Sequence, residues 1–311
     1  MGDKTSIEWT DATWNPITGC SVLSPGCTNC YAMRLAGTRL KHHPTRAGLT
    51  VDSKAGPVWN GEVRLNAAAL PQPLRWKRPR MIFVCAHGDL FHESVPDAWI
   101  DQVFAVMALA PQHTFQVLTK RAKRMRGYVN GFDCDGARRF NVAAAAGRMM
   151  EDGDNACDYV ANAAWPLPNV WLGVSAERQQ EADQRIPDLL ATPAAIRFVS
   201  TEPLLGSLDL WKYLRPWETP CRIGCDRCTR LHWIIVGGES GPDARPMHPD
   251  WARSIRDQCT SAGVPFFFKQ WGAWKVELDR DGERFHIMRK VAKKAAGRLL
   301  DGVEHNGMPT P

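Results

Sequence analysis

The sequence lacks the long apolar segments that would place a chain in or across a membrane. Its 311 residues contain no uninterrupted run of about 18 apolar residues, so we expect neither a transmembrane helix nor a membrane partner. The opening stretch MGDKTSIEWTDATW has no apolar core of the kind that a secretory signal needs. We therefore expect a cytoplasmic protein.

Internal repeats and common hydrolase signatures are also missing. No segment recurs at a fixed period, and no His-x-Glu or paired-carboxylate motif is present, which disfavours a hydrolytic enzyme. The composition, with 44% hydrophobic and 23% charged residues, is typical of a globular protein with a sizeable core.

Basic residues outnumber acidic ones and are clustered. The 39 Lys and Arg against 33 Asp and Glu give a formal charge of +6, and the sequence holds 13 tryptophans. The clusters are LRWKRPR (74–80), KRAKRMR (120–126) and RKVAKKAAGR (289–298). Cations that meet phosphate and rings that stack on bases make nucleic acid a candidate partner. A solvated basic face with tryptophans in the core is the alternative.

Apolar runs that end in polar or glycine residues predict strands buried on both faces, as in a parallel sheet. They span 81–89, 113–121, 169–177, 196–203, 232–241 and 264–272, with a further candidate within 7–16. Helical patterns lie between them, at 97–110, 177–191 and 249–262, with a kink or a split expected at Pro187. This alternation predicts an α/β fold, a parallel (β/α) barrel that is partial and has about six strands.

Two segments interrupt the pattern. Residues 130–166 form an alanine-rich, helical insertion, and a loop at about 215–232 carries the cysteine-rich stretch CRIGCDRC. We expect residues 1–275 to form the barrel with these two additions. Residues 276–311 are expected to form a basic C-terminal appendage that ends in a loose tail.

Each predicted strand ends in polar or glycine residues. Active sites of barrels lie at the C-terminal ends of the strands, so we expect these residues to line a site. They are Asp89, Lys120, Arg121, Ser175, Glu177, Glu202, Gly237, Gly238, Glu239, Lys269 and Gln270. For Asp89, capping of the next helix is an equal alternative.

Three of the ten cysteines lie together, at Cys20, Cys27 and Cys30, with the spacing Cys-x6-Cys-x2-Cys. In a reducing compartment, clustered thiols favour metal binding or catalysis over disulfides. Zinc sites and iron–sulfur clusters commonly use four protein ligands, so three thiolates would leave one iron of a cluster open to another ligand. A [4Fe–4S] cluster, zinc and no metal are the three alternatives.

A second group, Cys221, Cys225 and Cys228, has the spacing Cys-x3-Cys-x2-Cys. Its place between two predicted strands suggests a loop-borne second site for zinc or an auxiliary cluster, and absence of metal is the third alternative. The candidates for a fourth ligand are His232, Cys134 and Cys157.

The N-terminal cysteine loop and the α/β pattern that follows it resemble the radical S-adenosylmethionine superfamily. More specifically, the chain resembles the phage-associated Gp37/Gp68 family. The matching stretches, between residues 7 and 272, are IEWTDATWNPITGC, GCTNCYA, DLFHESVP, FQVLTKR, WLGVSAE, FVSTEPLLG, WIIVGGESG and FFFKQWG. The superfamily's usual spacing is Cys-x3-Cys-x2-Cys with an aromatic before the third cysteine. Here the first gap is six, Asn29 holds the aromatic position and Tyr31 follows the loop.

The resemblance implies a [4Fe–4S] cluster on Cys20, Cys27 and Cys30 that binds the methionine part of S-adenosylmethionine. An electron from a flavodoxin-like or ferredoxin-like donor would cleave this cofactor to a 5′-deoxyadenosyl radical. The resemblance also implies which residues bind each part of this cofactor. Asp89 would bind the amino group, Lys120 the carboxylate or a phosphate, and Ser175 and Glu177 the ribose. Gly237 and Gly238 would contact adenine or ribose, and Tyr31 and Glu202 would face the open iron.

We therefore expect a radical S-adenosylmethionine enzyme that acts on a nucleic acid or nucleotide, in base modification or photoproduct repair. The alternative is a non-enzymatic, zinc-dependent nucleic-acid-binding protein.

Overall fold

The computed structural model of the protein describes residues 5–134, 136–215, 230–277 and 287–310, with the backbone alone for residues 133, 134 and 287. The chain divides into two compact units. The first consists of Met1–Leu23, Ala32–Gly173 and Ala191–Ala195, and the second of Ser24–Tyr31, Val174–Leu190 and Ile196–Pro311.

The described elements alternate between strands and helices through most of the chain. Up to residue 161 they are β1 (Ala12–Trp14), β2 (Ile17–Thr18), α1 (Tyr31–Gly37), β3 (Thr50–Ser53), β4 (Gly56–Trp59), β5 (Arg64–Leu65), β6 (Met81–Val84), α2 (Asp97–Leu109), β7 (Thr114–Thr119), α3 (Ala122–Cys134), α4 (Ala137–Met149) and α5 (Gly153–Ala161). Then follow β8 (Val170–Ser175), α6 (Gln179–Leu190), β9 (Ile196–Thr201), α7 (Trp211–Leu214), β10 (Trp233–Gly237), α8 (Pro249–Ala262), β11 (Phe266–Gln270), β12 (Trp274–Glu277), β13 (Ile287–Lys290) and α9 (Lys293–Ala296).

Seven strands form one sheet in the order β1-β6-β7-β8-β9-β10-β11. β6 pairs in parallel with β1 and β7, and β10 pairs in parallel with β9 and β11. Every residue of β8, β9 and β10 is buried, which explains why these strands read as continuous apolar runs. The predicted mixed α/β fold is confirmed, and the strand order is consistent with a partial (β/α) barrel.

The three predicted helices are present with boundaries close to those expected. α2 begins directly after Pro96, and α8 ends at Gly263, whose positive φ of 63° forms the C-cap. α6 is one continuous helix that contains Pro187, so the expected split does not occur. A proline removes one backbone donor, and the turns on either side of Pro187 maintain the helix.

The alanine-rich insertion forms helices of the first unit. α4 and α5 approach closely where Gly147 faces Gly153, since a Cβ on Gly153 would lie 2.7 Å from the Gly147 carbonyl oxygen. The rings of Phe132 and Trp165 stack at 4.0 Å near the two ends of the insertion. Small residues and stacked rings thus fix this segment within its unit.

The last described residues pair with strand β11 in the second unit. The Phe268 amide donates to the His305 carbonyl at 2.9 Å, and the Gly307 amide donates to the Phe266 carbonyl at 3.0 Å. The indole of Trp233 donates to the Gly307 carbonyl at 2.7 Å. The described end of the expected appendage therefore covers the β11 edge, where an exposed strand would invite pairing with another chain. Among the described helices, none has the length and apolar character that crossing a membrane would require.

Candidate functional site

The cysteine loop of residues 20–30 is divided between the two units. Cys20 belongs to the first unit, and Cys27 and Cys30 belong to the second. All three are free cysteines, Cys27 being buried and the other two partly exposed.

Cys20 lies beside a buried arginine that follows strand β7. Arg121 donates from Nη1 to the Cys20 sulfur at 3.3 Å and from Nη2 to the Ser21 hydroxyl at 2.7 Å. Burial opposes the charge of this guanidinium, but the neighbouring Asp89, Cys20 and Glu93 outweigh it and raise the Arg121 pKa. The Cys20 sulfur therefore accepts a hydrogen bond from a buried, positively charged group.

Asp89 fixes that arginine and is fully hydrogen-bonded within the first unit. Its Oδ1 accepts from the Thr119 hydroxyl at 2.6 Å and the Phe91 amide at 3.0 Å. Its Oδ2 accepts from the Lys120 amide at 3.1 Å and from Arg121 at 3.2 Å. The bond to Phe91 closes a local turn and caps no helix, since α2 begins only at Asp97 with Pro96 as its N-cap. The bonds to Lys120 and Arg121 tie the ends of two neighbouring strands together.

In the second unit, Cys27 ends a short 3₁₀ turn, Pro25–Cys27, and Cys30 follows one turn later. The Cys27 amide donates to the Ser24 carbonyl at 2.8 Å, and the Cys30 amide donates to the Cys27 carbonyl at 3.2 Å. Tyr31, 55% exposed, opens helix α1 directly after the loop. The two cysteines therefore sit on tightly wound backbone.

Glu177, two residues beyond β8, holds the start of this loop. Its side chain is completely buried, and Oε1 accepts from the Gly26 amide at 3.0 Å and from the Ser24 hydroxyl. Its Oε2 pairs with Arg185 of α6 at 3.1 Å, and Arg185 also donates to the Ser175 carbonyl at 2.8 Å. A buried carboxylate needs such partners, and here they include the backbone beside a cysteine.

Glu239, two residues beyond β10, holds the other end of the loop. Its Oε2 accepts from the Asn29 amide group at 3.0 Å and from Arg245 Nε at 2.8 Å. Asn29 also donates to the Asp243 carbonyl at 2.8 Å, and Arg245 Nη2 donates to the Pro25 carbonyl at 2.9 Å. Burial alone would raise the pKa of Glu239. The hydrogen bonds from Arg245 and Asn29 outweigh burial, so the pKa is lowered from its usual value.

Glu202 and the two predicted glycines form a separate cluster at the ends of β9, β10 and β11. Lys269 Nζ lies 3.0 Å from Glu202 Oε1, and the two side chains are only 17% and 16% exposed. A Cβ on Gly237 would lie 2.4 Å from the Glu202 carboxylate, and one on Gly238 would lie 2.2 Å from the Trp271 carbonyl oxygen. Close packing of the protein against itself therefore accounts for both glycines.

A family model matches residues 4–309 of the chain. The chain belongs to the DUF5131 family. That family is described as a protein of unknown function, so the match establishes kinship without naming a reaction. No curated protein and no solved structure matches the chain.

The second cysteine group, Cys221, Cys225 and Cys228, lies outside the described residues. Of the candidate fourth ligands, His232 accepts the Arg197 amide on Nδ1 at 2.9 Å. In the ranges that the structure does describe, no group of three or more His, Cys, Asp or Glu side chains is arranged to hold a metal ion. Metal binding by either cysteine group thus stays a prediction from sequence spacing.

The basic clusters differ in how much charge they expose. In the 120–126 cluster Arg121 is buried and Arg124 pairs with Asp97. In the 74–80 cluster Arg80 lies over the buried ring of Trp76 at 4.8 Å. In the part of the chain that the structure describes, seven tryptophans are buried, which favours core packing for them: Trp9, Trp14, Trp59, Trp76, Trp171, Trp233 and Trp271.

Sequence patterns did not single out Asn29, Arg185 and Arg245 as functional residues. Arg185 lies inside a helix, and Arg245 lies in a loop four residues past the GGESG turn, so no strand end or motif marks them. Their importance follows from the carboxylates that they contact, Glu177 for Arg185 and Glu239 for Asn29 and Arg245. A buried glutamate at a strand end requires a cation, and that requirement is the one signal that points to an arginine nearby.

Proposed function

We propose that this DUF5131 protein is a radical S-adenosylmethionine enzyme that acts on a nucleic acid substrate. Cys20, Cys27 and Cys30 would hold a [4Fe–4S] cluster, and S-adenosylmethionine would bind the iron that they leave open. When bound, these groups supply reductive cleavage of the sulfonium and hydrogen abstraction by a 5′-deoxyadenosyl radical, with the electron coming from a flavodoxin-like or ferredoxin-like donor.

One observation supports this proposal above the others: buried charges at strand ends hold the cysteine loop. Glu177 accepts from the backbone just before Cys27, and Glu239 accepts from Asn29 just before Cys30. Two buried carboxylates committed to one short loop are costly, because each needs a cation. Such rigidity suits a loop that must present sulfurs at fixed positions to a metal group.

The groups next to the sulfurs suit thiolate ligands. Arg121 donates to the Cys20 sulfur at 3.3 Å, and the Ser24 hydroxyl lies 3.9 Å from the Cys27 sulfur. Hydrogen-bond donors around cluster sulfurs orient the ligands and tune the reduction potential of the cluster. The chain's own residues would thus hold and orient the thiolates.

The residues proposed to bind S-adenosylmethionine differ in whether their polar atoms already have partners within the chain. Asp89 and Glu177 have donors from the chain on both carboxylate oxygens, so a cofactor would share them or displace a bond. Tyr31 is exposed next to Cys30 and is the candidate best placed to contact a bound molecule. The backbone amide of Lys120 donates to Asp89, which fixes the backbone position from which the Lys120 side chain extends.

Anaerobic purification followed by metal and sulfide analysis tests the proposal. We expect about four irons and four acid-labile sulfides per chain, and about eight of each if the second cysteine group also holds a cluster. Zinc at the second group would appear in the same analysis. Reduced protein with S-adenosylmethionine should yield 5′-deoxyadenosine.

Two matched variants make the result specific to the loop. Cys27→Ala should lose both the iron and the cleavage activity, because it removes one of three thiolates. Cys259→Ala removes a buried thiol from helix α8, outside both cysteine groups, and should retain both properties. Stoichiometric zinc without iron would refute the proposal and favour a zinc-dependent nucleic-acid-binding protein. An unchanged iron content in Cys27→Ala would refute the assignment of the cluster to this loop.

A further inference from the structure

A small basic ribbon in the second unit has no part in the site described so far. Strands β12 and β13 form a separate two-stranded antiparallel sheet in which Lys275 lies directly opposite Arg289 and Trp274 directly opposite Lys290. Side chains directly opposite each other extend on the same face, so Lys275 and Arg289 bring two cations together. Like charges in this arrangement destabilise a ribbon, and a bound anion would remove that cost.

The ribbon continues into further exposed cations. Lys275, Arg289, Lys290, Lys293 and Lys294 are all exposed in the structure. Among the described residues of the ribbon and α9, Glu277 is the sole acid, and it pairs with Arg289 at 3.3 Å. Five cations against one carboxylate give this surface a formal charge of +4. We call it the ribbon surface.

The ribbon surface is joined to the cysteine loop through one connecting loop, residues 240–245. The Trp274 indole donates to the Ala244 carbonyl at 2.8 Å, and the Lys290 ammonium donates to the Pro242 carbonyl. On its other side, the same loop accepts from Asn29 through the Asp243 carbonyl. All these contacts lie within the second unit, so one loop bonds both the ribbon and Asn29, the residue directly before Cys30.

We propose that the ribbon surface binds the phosphodiester backbone of duplex DNA and delivers it to the cysteine loop; this role as a substrate surface rests on the proposed function. Clustered exposed cations are the residues that neutralise phosphates. An antiparallel ribbon of two strands fits the major groove of B-form DNA, whereas the major groove of A-form RNA is too narrow for it.

The other two basic clusters provide a matched control, because they offer the same charge elsewhere. The ribbon variant is Lys275→Gln with Lys293→Gln and Lys294→Gln, and the control is Lys77→Gln with Arg78→Gln and Lys123→Gln. Each removes three exposed positive charges. Lys290 is retained because it contacts Pro242 and lies over the Trp274 ring.

Binding of the full chain to a fluorescent DNA duplex is then measured by anisotropy over a series of salt concentrations. In the ribbon variant we expect affinity at moderate salt to fall by at least about tenfold and the slope of log Kd against log salt to flatten by about 2 to 3. In the control we expect less than about a threefold change. Equal thermal melting curves of the variants would show that the ribbon is intact.

Several outcomes would overturn the proposal. They are an unchanged affinity in the ribbon variant, an equal loss in the control, tighter binding to an RNA duplex or a single strand than to duplex DNA, and ribbon-dependent binding to anionic lipid vesicles without DNA binding. These outcomes are independent of the metal analysis. A chain that binds DNA through the ribbon but holds no cluster would refute the proposed reaction alone, and a cluster-bearing chain whose ribbon variant binds DNA normally would refute the ribbon surface alone.

Discussion

Replacing Glu177 with glutamine tests whether buried charge holds the cysteine loop. The substitution keeps the shape of the side chain and one acceptor oxygen but removes the negative charge. Arg185, whose side chain is 4% exposed, then keeps its charge with the Ser175 carbonyl as its acceptor. Breaking a buried pair in this way costs about 3 to 5 kcal/mol.

The lower end of that range is expected at this position. The amide oxygen of glutamine can still accept from the Gly26 amide or the Ser24 hydroxyl, although as a neutral acceptor it forms weaker bonds. We therefore expect Glu177→Gln to lower the free energy of unfolding by about 3 kcal/mol. Adding Arg185→Met should recover about 2 kcal/mol, since it removes the unpaired cation.

Urea unfolding, followed by the fluorescence of the buried tryptophans, measures these differences. Glu62→Gln, the same change at an exposed position, serves as the control and should alter stability by less than about 0.5 kcal/mol. A loss below about 1 kcal/mol in Glu177→Gln, or no coupling with Arg185, would refute the structural role. A fully stable Glu177→Gln protein that no longer binds S-adenosylmethionine would instead support the ribose contact expected from the sequence.

Two further predictions concern packing and pH. Gly237→Ala should lower the free energy of unfolding by about 1 kcal/mol, because the Glu202 side chain can move aside. Gly238→Ala should lower it by about 3 kcal/mol, because the added Cβ meets the Trp271 backbone. The opposite ranking in urea unfolding would contradict this geometry. The bond from Arg253, with that from Arg256, lowers the pKa of Asp301 to about 2, so its ion pairs stabilise the fold above about pH 4 and lose this effect as pH falls toward 2. Asp301→Asn, which tolerates the φ of 53° at that residue, should therefore lose about 1 kcal/mol at pH 7, after allowance for solvent screening of this 37% exposed carboxylate. The loss should shrink below about pH 4 and become small only near pH 2. A loss independent of pH would contradict the ion-pair explanation.

The strands were predictable from the sequence because burial on both faces leaves a local mark. All six apolar runs contain a strand of the sheet, and the seventh candidate contains β1. The continuous helix at Pro187 was not predictable in the same way, because local propensity is overridden when the surrounding turns are buried against the unit.

The positions of polar residues beyond the buried strands could be predicted from the sequence, but the contacts of those residues could not. Sequence reasoning identified Glu177 and Glu202 as polar residues beyond buried strands. It could not show that Glu177 would bond a backbone amide 151 residues earlier, or that Glu202 would fill the space over Gly237. Contacts between residues so distant in the chain leave no local pattern, and a carboxylate has the same sequence signature whether it faces a ligand or its own protein.

The choice of ion pairs, rather than apolar contacts, to hold the cysteine loop has a physical consequence. Apolar packing would fix the position of residues 24–30 at lower cost but would leave the direction of each peptide group free. Glu177 and Arg245 bond the backbone at Gly26 and Pro25, and Glu239 bonds the side chain of Asn29, so the chain direction is set just before each of the two cysteines. Direction matters little for a loop that only fills space, but it decides where a thiolate points.

If the loop binds a metal group, loss of either carboxylate should therefore impair metal retention before the fold itself is lost, and Glu239→Gln should release iron at urea concentrations at which the tryptophan fluorescence is still native. Coincident loss of iron and fold would show that the two carboxylates serve stability alone.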